Sequence, residues 1–417
     1  MRGLFGSGGP GAHPLVLDGG LATQLEADGA DLSGKLWSAR LLKDDPDKIQ
    51  RAHEAFLIAG CNIITTASYQ CSIPLLSQVL CIQESAAEDL IVESVRIARR
   101  AVLACGSDST IVAASIGPFG ACLADGSEYN GHYKDMPVEK LMEWHRRRFE
   151  LLTNSGADVL AFETIPCHNE VVALCRLLRE KPDVRAWISM ACGSATALNS
   201  GENIVDVVAD LKRQGLLSQV EAVGINCTPP QYATSLLTAI QATCNLPLIV
   251  YANSGEVWDA ETRGWNQASE SSQKFESHLT DWIGLCQVVG GCCRVGPSTI
   301  ADIQHLSSPT ASDHQKSIPL DVILDVDTGI DDALALLLAI RSKDLNVVGV
   351  TTVAGNSNVD IVTEATLKVL DAAGAAADLA VSKGAAEPLK EPSHFCPHIH
   401  GHDSLGDLRD PILPPSS

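Results

Sequence analysis

The feature that most constrains the fold of this chain is a repeat of strand-like and helix-like segments between residues 15 and 289. Short apolar runs rich in β-prone residues alternate with segments of helical periodicity, and small or polar residues follow each run at once. There are eight such runs, at 15–17, 62–66, 111–115, 159–162, 186–190, 222–225, 248–251 and 288–289.

This alternation predicts a parallel sheet, because parallel strands need helical crossovers between them. Eight repeats over about 290 residues predict a (β/α)8 TIM barrel, and an open doubly wound sheet is the alternative. In a barrel, functional residues gather at the C-terminal ends of the strands. The motifs at those positions are DGG (18–20), TASYQ (66–70), SIGPFG (115–120), ETIP (163–166), ACG (191–193), NCTPP (226–230), ANSGE (252–256) and GGCC (290–293).

The pattern also predicts how the chain divides into domains. A Gly-rich flexible tail (1–13) precedes the barrel (14–306), and a polar linker (307–317) follows it. Residues 318–417 show a second, smaller α/β pattern of the Rossmann-like kind, an incomplete unit. Its expected strands are 320–324, 347–353 and 379–381, and its expected helices are 331–342 and 363–373.

Composition excludes several classes of protein. A net charge of −21 argues against binding nucleic acid, which requires a basic surface. The longest apolar run, 333–340, is far shorter than the ~20 residues of a membrane span. The first residues lack the apolar segment of a signal peptide, so we expect a cytoplasmic protein whose 14 cysteines are reduced. No pattern indicates a particular oligomeric state.

Three cysteines stand at the ends of predicted strands. Cys227 follows the sixth run, and Cys292 and Cys293 follow the eighth, which lies near the sixth in a closed barrel. Three thiolates with an open fourth position are typical of a catalytic zinc site, so one Zn2+ per barrel is expected. We expect Gly290 and Gly291 to give the backbone the freedom to turn both cysteines towards one ion. The alternative is that these are ordinary buried core cysteines.

The ligand set indicates the chemistry. Three thiolates make zinc a poor Lewis acid for hydrolysis, and the chain lacks the HExxH motif of zinc hydrolases. A thiol that coordinates a metal is deprotonated, and the thiolate is the nucleophilic form. The pattern therefore predicts attack by a substrate thiol on an electrophilic alkyl group.

Long motifs give the chain a family resemblance. The stretch 15–305 resembles the homocysteine S-methyltransferases, and especially the branch that uses S-methylmethionine. The resemblance implies a zinc-dependent (β/α)8 barrel with Cys227, Cys292 and Cys293 as ligands. It also implies methyl transfer from a sulfonium donor to the thiolate of homocysteine, forming methionine. Ala252 is a departure, since the family commonly has Pro there. The matching motifs are LDGGLATQLE (17–26), LWSARLL (36–42), TTASYQ (65–70), VAASIGPFGACLADGSEYNG (112–131), LAFETIPC (160–167), VGINCTPP (223–230), YANSGE (251–256) and GGCCRVGP (290–297).

We assign substrate roles to residues at the strand ends. Glu163 is expected to bind the homocysteine ammonium, with a buried ion pair as the alternative. Asp18 and the Gly19–Gly20 backbone are expected to line the amino-acid pocket, unless they only form a tight turn. Asn226 and Asn253 would orient the cysteine loop or the substrate carboxylate, or else form loop hydrogen bonds. Two acidic residues, Asp125 and Glu128, would face the cationic donor or lie on a solvated loop.

The C-terminal segment carries a second resemblance. Four aspartates at 325, 327, 331 and 332 need a hard cation or several hydrogen-bond donors, such as a helix N-terminus, to offset their repulsion. The runs ILDVDTGIDDALALLLAI (323–340), GVTTVAGN (349–356) and HIHGHDSLGD (398–407) resemble the first third of the nucleoside hydrolases. The resemblance implies Ca2+ on Asp327 and Asp332, with Asp327 also acting as the base, and ribose contacts from Asp331 and Asn356.

Departures weaken this second resemblance. Thr328 replaces the usual Pro, and the chain ends where the later two thirds of that fold would begin. We therefore expect Asp325, Asp327, Asp331, Asp332 and Asn356 to form at most a vestigial site without hydrolase activity. Two hypotheses stand beside the methyltransferase: a nucleoside hydrolase carried by the barrel, and a non-catalytic zinc- or thiol-binding scaffold. S-methylmethionine, S-adenosylmethionine and betaine all remain open as donors.

Overall fold

Eight parallel strands form the sheet of the first part of the chain. Neighbouring strands follow chain order from β2 to β8, and β8 also pairs with β1. A parallel bridge between Leu17 and Ile63 joins β1 to β2 and closes the ring. The predicted TIM barrel is therefore confirmed, and the open-sheet alternative is wrong. In chain order the strands are β1 (Leu15–Val16), β2 (Ile63–Thr65), β3 (Ile111–Ile116), β4 (Val159–Ile165), β5 (Ala186–Met190), β6 (Val220–Asn226), β7 (Leu248–Ala252) and β8 (Val288–Gly291).

The computed structural model describes most of the chain, which divides into two compact units, Met1–Thr310 and Ala311–Ser417. Most of the predicted tail (1–13) and nearly all of the predicted linker (307–317) lie outside the described residues. The described residues are 4–5, 13–107, 109–123, 125–131, 133, 135–259, 264–266, 275–307, 320–342, 345–376, 379–387, 390 and 393–407.

Helices connect the strands of the first unit. A helix begins where a side chain can satisfy its free N–H groups, as at α3, where Asp45 accepts from the Lys48 N–H (3.0 Å) and Pro46 starts the first turn. The helices are α1 (Leu21–Ala27), α2 (Leu41–Asp44), α3 (Pro46–Ile58), α4 (Ile73–Leu80), α5 (Glu84–Ala104), α6 (Phe119–Leu123), α7 (Ser127–Asn130), α8 (Val138–Thr153), α9 (His168–Arg179), α10 (Ile204–Arg213), α11 (Pro230–Thr243), α12 (Leu279–Leu285) and α13 (Pro297–Ser307). Short 3₁₀ turns occupy Trp37–Arg40 and Phe275–His278, and an antiparallel hairpin pairs Val257–Asp259 with Gly264–Asn266.

The barrel has two apolar layers. One lies between the strands and the helices, and the other fills the interior with side chains such as Leu17, Trp187 and Ile249. Strands that are buried on both faces carry nearly continuous apolar runs, which explains why all eight sequence runs coincide with observed strands.

Part of the predicted flexible tail packs against the barrel interior. Phe5 is buried, and its ring centroid lies 6.1 Å from that of Trp187 on β5. The Leu4 N–H donates to Glu221 on β6 at 2.7 Å. The expectation of a loose tail is therefore wrong at Leu4 and Phe5, because an aromatic ring that reaches the apolar interior is stabilised by its burial.

The second unit contains a parallel sheet in the order β9 (Leu320–Val326), β10 (Leu345–Thr352) and β11 (Val381–Lys383). Its helices are α14 (Ile330–Arg341), α15 (Val359–Ala373) and α16 (Pro397–His400). Helix α15 begins at Val359 rather than at the predicted residue 363, because the Asn358 side chain caps it by accepting from the Ile361 N–H. No helix in the described ranges is both long and apolar enough to cross a lipid bilayer.

Candidate active site

The three predicted zinc ligands lie together at the C-terminal end of the barrel. Cys227 follows β6 and Cys292 follows β8, and both backbones bond to β7 between them, with N–H···O distances of 3.2 Å to Tyr251 and 2.9 Å to Ala252. The Cys227 sulfur lies 2.6 Å from that of Cys292 and 3.7 Å from that of Cys293. All three sulfurs lie within 4.8 Å of one another. Within the described ranges, no other group of three or more Cys, His, Asp or Glu side chains lies close enough together to hold a metal ion.

The backbone turns sharply at these cysteines. Cys227 has a φ of 46°, and Arg294, which follows Cys293, has a φ of 66°. Gly290 and Gly291 belong to β8 and do not have positive φ, so the expectation that they supply the turn is wrong. They are needed for space, because a Cβ on Gly291 would lie 2.1 Å from Val295 Cγ1. Cys227 and Arg294 therefore make the turns, and the glycines allow close packing beneath them.

The donor set fits a thiophilic metal ion. Sulfurs bound 2.3 Å from a tetrahedral zinc lie about 3.8 Å apart, close to the Cys227–Cys293 separation. The neighbouring Cys227 and Cys292 thiols hold the pKa of the Cys293 thiol below its usual range, whereas the neighbouring Cys292 and Cys293 thiols raise the pKa of Cys227. The cluster therefore stabilises one thiolate and opposes the next, and a divalent cation would remove that opposition.

Asn226 holds the residues around this cluster in place. Its Oδ1 accepts from the Thr164 N–H (2.7 Å) and from the Ser189 hydroxyl (2.8 Å). Its Nδ2 donates to Thr164 Oγ1 at 2.7 Å and approaches the Cys292 sulfur at 3.9 Å. Thr164 has a φ of 61°, which is strained for a β-branched residue and needs such support. Asn226 thus links the cysteine cluster to the end of β4.

Asp18 is buried at the end of β1. Its carboxylate accepts from the Thr65 N–H at 2.7 Å and from the Thr65 hydroxyl at 3.1 Å. Burial, with a further contribution from the Glu163 charge, raises the pKa of Asp18 well above its usual range. The neighbouring Gly19 and Gly20 pack against the cysteine turn, since a Cβ on Gly20 would lie 2.6 Å from the Cys292 carbonyl oxygen.

Glu163 is buried at the end of β4. It accepts a hydrogen bond from the Ser115 hydroxyl, and the nearby Tyr251 hydroxyl oxygen accepts from Trp187 at 3.0 Å. Burial raises the pKa of Glu163 to about 7, although the neighbouring Ser115 and Tyr251 hydroxyls favour its charged form. No Lys, Arg or His pairs with Asp18 or Glu163 in the part of the chain that the structure describes, and Arg294 is paired with Glu256 at 2.6 Å.

The side-chain oxygens of the remaining predicted residues differ in whether they have hydrogen-bond partners. Asn253 follows β7, and its Oδ1 is buried without a hydrogen-bond partner. Asp125 accepts from the Ser127 N–H at 2.9 Å and so closes a local turn. Glu128 lies on α7, and its Oε2 is buried without a partner. Asn253 and Glu128 therefore each keep a buried acceptor without a partner, whereas Asp125 is exposed and one of its oxygens is engaged in its own turn.

Several residues of the site escaped the sequence analysis. Ser115 and Tyr251 contact Glu163, and the Tyr69 and Tyr129 hydroxyls lie close enough to Cys227 for its charge to act on both of them. Ser115, Tyr69 and Tyr251 lie at or next to the strand ends where the motifs TASYQ, SIGPFG and YANSGE were noted. Their position in those motifs was the available signal.

The aspartates of the second unit are held mostly by local hydrogen bonds. Asp325 accepts from the Thr351 hydroxyl at 2.6 Å, and Asp327 accepts from the Asn356 N–H at 2.9 Å. Asp332 accepts from the Asp327 N–H at 3.0 Å, while Asp331 is exposed. Within the described residues they form no group of three or more metal ligands, while the two residues suggested as calcium ligands, Asp327 and Asp332, are close enough for the charge of Asp327 to act on Asp332. Local hydrogen-bond donors offset the charges of Asp325, Asp327 and Asp332.

Comparison with known proteins matches both resemblances stated from the motifs. A family model described as homocysteine S-methyltransferase matches residues 15–306, and one described as inosine-uridine preferring nucleoside hydrolase matches residues 322–416. Homocysteine S-methyltransferase 1 of Arabidopsis thaliana is 41% identical over 300 residues, which cover 68% of this chain and 90% of that protein. Homocysteine S-methyltransferase YbgG of Bacillus subtilis is 40% identical over 300 residues, covering 70% and 94%.

A solved structure also matches the barrel. The metallated form of the homocysteine methyltransferase MmuM from Escherichia coli superposes with a TM-score of 0.62 at 37% identity. The superposition covers 71% of this chain and 97% of that chain.

Proposed function

Because this chain belongs to the homocysteine S-methyltransferase family, we propose that its barrel transfers a methyl group from a sulfonium donor, S-methylmethionine, to the thiolate of L-homocysteine. The product from homocysteine is methionine. One observation carries the proposal: three thiols meet at the end of the barrel that also holds two buried carboxyl groups without a described cationic partner.

The proposed metal is zinc, and Cys227, Cys292 and Cys293 would hold it. The separation of the Cys227 and Cys293 sulfurs and the opposed pKa values of these two thiols support this assignment. When bound by three thiolates, zinc leaves a fourth position for an exogenous sulfur and lowers the pKa of a thiol placed there. Asn226 positions the cluster through Thr164 and the Cys292 sulfur.

We propose that Asp18 and Glu163 bind the homocysteine ammonium. A buried carboxylate that lacks a cationic partner is costly to ionise, and a bound ammonium would offset that cost. The raised pKa values of both groups support this role, since they mark charge that the protein alone does not neutralise. The unpartnered Asn253 Oδ1 offers a further acceptor for the same ammonium.

The reaction needs positioning more than proton transfer. A bond forms between the homocysteine sulfur and the methyl carbon while the bond from that carbon to the donor sulfur breaks. The electron pair of the broken bond returns to the donor sulfur, so a sulfonium becomes a neutral thioether. With S-methylmethionine as donor, both products are methionine. The chain therefore contributes by holding the two sulfurs in line and excluding water.

The test is an assay of the purified full chain with homocysteine and each of three donors, S-methylmethionine, S-adenosylmethionine and betaine, carrying a labelled methyl group. We expect labelled methionine with S-methylmethionine and about one zinc per chain. Cys292→Ser should lose both zinc and activity, whereas Cys81→Ser, at an exposed free cysteine, should keep both. Absence of labelled methionine with every donor would refute the activity, and a zinc-free active protein would refute the metal assignment.

A further inference from the structure

Glu128 is an acidic residue held rigidly at the barrel mouth. The Asn199 side chain donates to its backbone carbonyl at 3.1 Å, and the Asx turn of Asp125 precedes it. On another side Gly120 approaches so closely that a Cβ there would lie 2.6 Å from the Glu128 nitrogen. The backbone of Glu128 is therefore fixed from the loop that follows β5, from α6 and from its own loop.

The side chain of Glu128, in contrast, has no described partner for one of its oxygens. Its Oε2 is buried and accepts no hydrogen bond, and no Lys, Arg or His forms an ion pair with it in the described part of the chain. A buried acceptor left unsatisfied lowers the stability of the folded chain, and more so when it is charged. A rigid loop that holds such a group in place is arranged for a ligand that supplies the missing partner.

This carboxylate lies on the loop that follows β3, at the same end of the barrel as the three cysteines. It is near enough for its negative charge to act on Cys293 and on the adjacent Tyr129, and the charges of all three cysteines also act on Tyr129. A ligand that reaches Glu128 therefore lies beside the position where the sulfur of homocysteine would be held. Its position next to the cysteine cluster distinguishes Glu128 from an ordinary surface glutamate.

A cationic ligand suits this carboxylate best, because it would offset the cost of a buried negative charge. Under the proposed function, homocysteine brings one ammonium, which Asp18 and Glu163 would bind. The donor brings a sulfonium that must stand close to the homocysteine sulfur, because the methyl group passes directly between them. On the basis of that function, we infer that Glu128 binds the positively charged end of the sulfonium donor and sets the preference for a cationic methyl donor.

The kinetic consequence follows from how charge changes in the reaction. A thiolate and a sulfonium become two neutral thioethers, so the positive charge on the donor fades in the transition state. A carboxylate beside it stabilises the bound donor at least as strongly as the transition state. Loss of the Glu128 charge therefore raises the KM for the donor without lowering kcat.

The experiment compares the wild type, Glu128→Gln, Glu128→Asp and the control Glu143→Gln, which changes an exposed glutamate on α8. For Glu128→Gln we expect the KM for S-methylmethionine to rise about 10- to 100-fold, because a sulfonium donates no hydrogen bond and the variant removes a charge–charge attraction in a partly buried site. The kcat, the KM for homocysteine and the zinc content should stay near wild type. Glu128→Asp should recover part of the loss, and Glu143→Gln should match the wild type.

A donor KM for Glu128→Gln within about threefold of wild type, or a rise in the homocysteine KM instead, would overturn the inference. Calorimetric titration separates this result from failure of the proposed function. The wild type should bind S-methylmethionine more tightly than methionine, whose side chain is neutral. Glu128→Gln should lose that difference in affinity, whether or not turnover occurs. Equal loss of affinity for both ligands would also overturn the inference.

Discussion

A buried network beside the barrel mouth allows a quantitative test of the structure. Glu170 on α9 is fully buried and accepts three hydrogen bonds, from the Phe119 N–H (2.6 Å), the Tyr133 hydroxyl (2.7 Å) and His145 Nε2 (2.8 Å). The other ring nitrogen of His145 lies 2.9 Å from Arg148 Nη2. Burial, with the Arg148 charge, lowers the pKa of His145 to about 4, so the ring is neutral and bridges the two charges.

The perturbation is Glu170→Gln, which keeps the shape of the side chain and removes its charge. The buried Arg148 guanidinium then keeps only neutral partners, such as the carbonyl oxygens of Cys71 and Gly117. Removing one partner of a buried charge pair costs about 3–5 kcal/mol, and no cavity is created to add to it. We expect the free energy of unfolding of the barrel to fall by that amount.

The assay is urea unfolding followed by tryptophan fluorescence. All six tryptophans precede residue 310, so the signal reports on the barrel unit alone. The transition midpoint should fall with an unchanged m-value, while the exposed control Glu143→Gln should leave it in place. A loss below about 1 kcal/mol would refute the reasoning, because it would mean that Arg148 does not depend on Glu170 for its counter-charge.

The Glu170→Gln variant should also weaken binding of the methyl donor. Glu170 holds Phe119 and Tyr133, which flank the loop that carries Glu128, and Gly120 packs against both Tyr133 and the Glu128 backbone. We expect Glu170→Gln to raise the KM for the sulfonium donor more than the KM for homocysteine. A rise confined to homocysteine would contradict this link.

Three further variants test other parts of the barrel. Both ring nitrogens of His53 are buried without a hydrogen-bond partner, and burial lowers the pKa of the ring to about 4. Between about pH 6.5 and 4, His53 is therefore protonated in the unfolded chain but not in the folded one. The wild type should therefore lose about 2 kcal/mol of stability relative to His53→Leu when the pH falls from about 7.5 to 5, as measured by urea titration. Phe5→Ala should lower the free energy of unfolding by about 3 kcal/mol, and no change would show that the ring is not packed in the barrel. Gly20→Ala should reduce zinc content and methionine formation because its Cβ meets the Cys292 carbonyl, whereas Gly34→Ala, with open space around it, should not.

The sequence predicted the strands well because they are buried on both faces. Such strands appear as uninterrupted apolar runs, as at 159–162 and 248–251, and their spacing fixes the barrel. The start of α15 was less predictable, since Asn358 acts through one side-chain cap. Phe5 was missed because a single aromatic residue in a Gly-rich segment has no periodicity, and its partner Trp187 is far away in the chain.

The candidate site was predictable where its chemistry follows a strand directly. Cys227, Cys292 and Cys293 stand out because thiols at the ends of two strands that lie near each other in a closed barrel suggest a metal. The contacts that support them were not predictable, since Ser115 and Glu163 are 48 residues apart and Phe119 and Glu170 are 51 apart. Residues so distant in the chain meet only through the register of the barrel, which short-range patterns do not encode.

The balance of charge at the barrel mouth connects these observations. The three thiols, Asp18, Glu163 and Glu128 can all carry negative charge, while Arg294 in the cysteine turn is already paired with Glu256. The raised pKa values of Asp18, Glu163 and Glu128 show that the protein alone does not stabilise this charge. Together, three cations would supply the missing positive charge. A divalent metal would do so at the thiols, an ammonium at Asp18 and Glu163, and a sulfonium at Glu128. The mouth is thus complementary to a set of cations, and a neutral methyl donor would leave the Glu128 carboxylate unpaired.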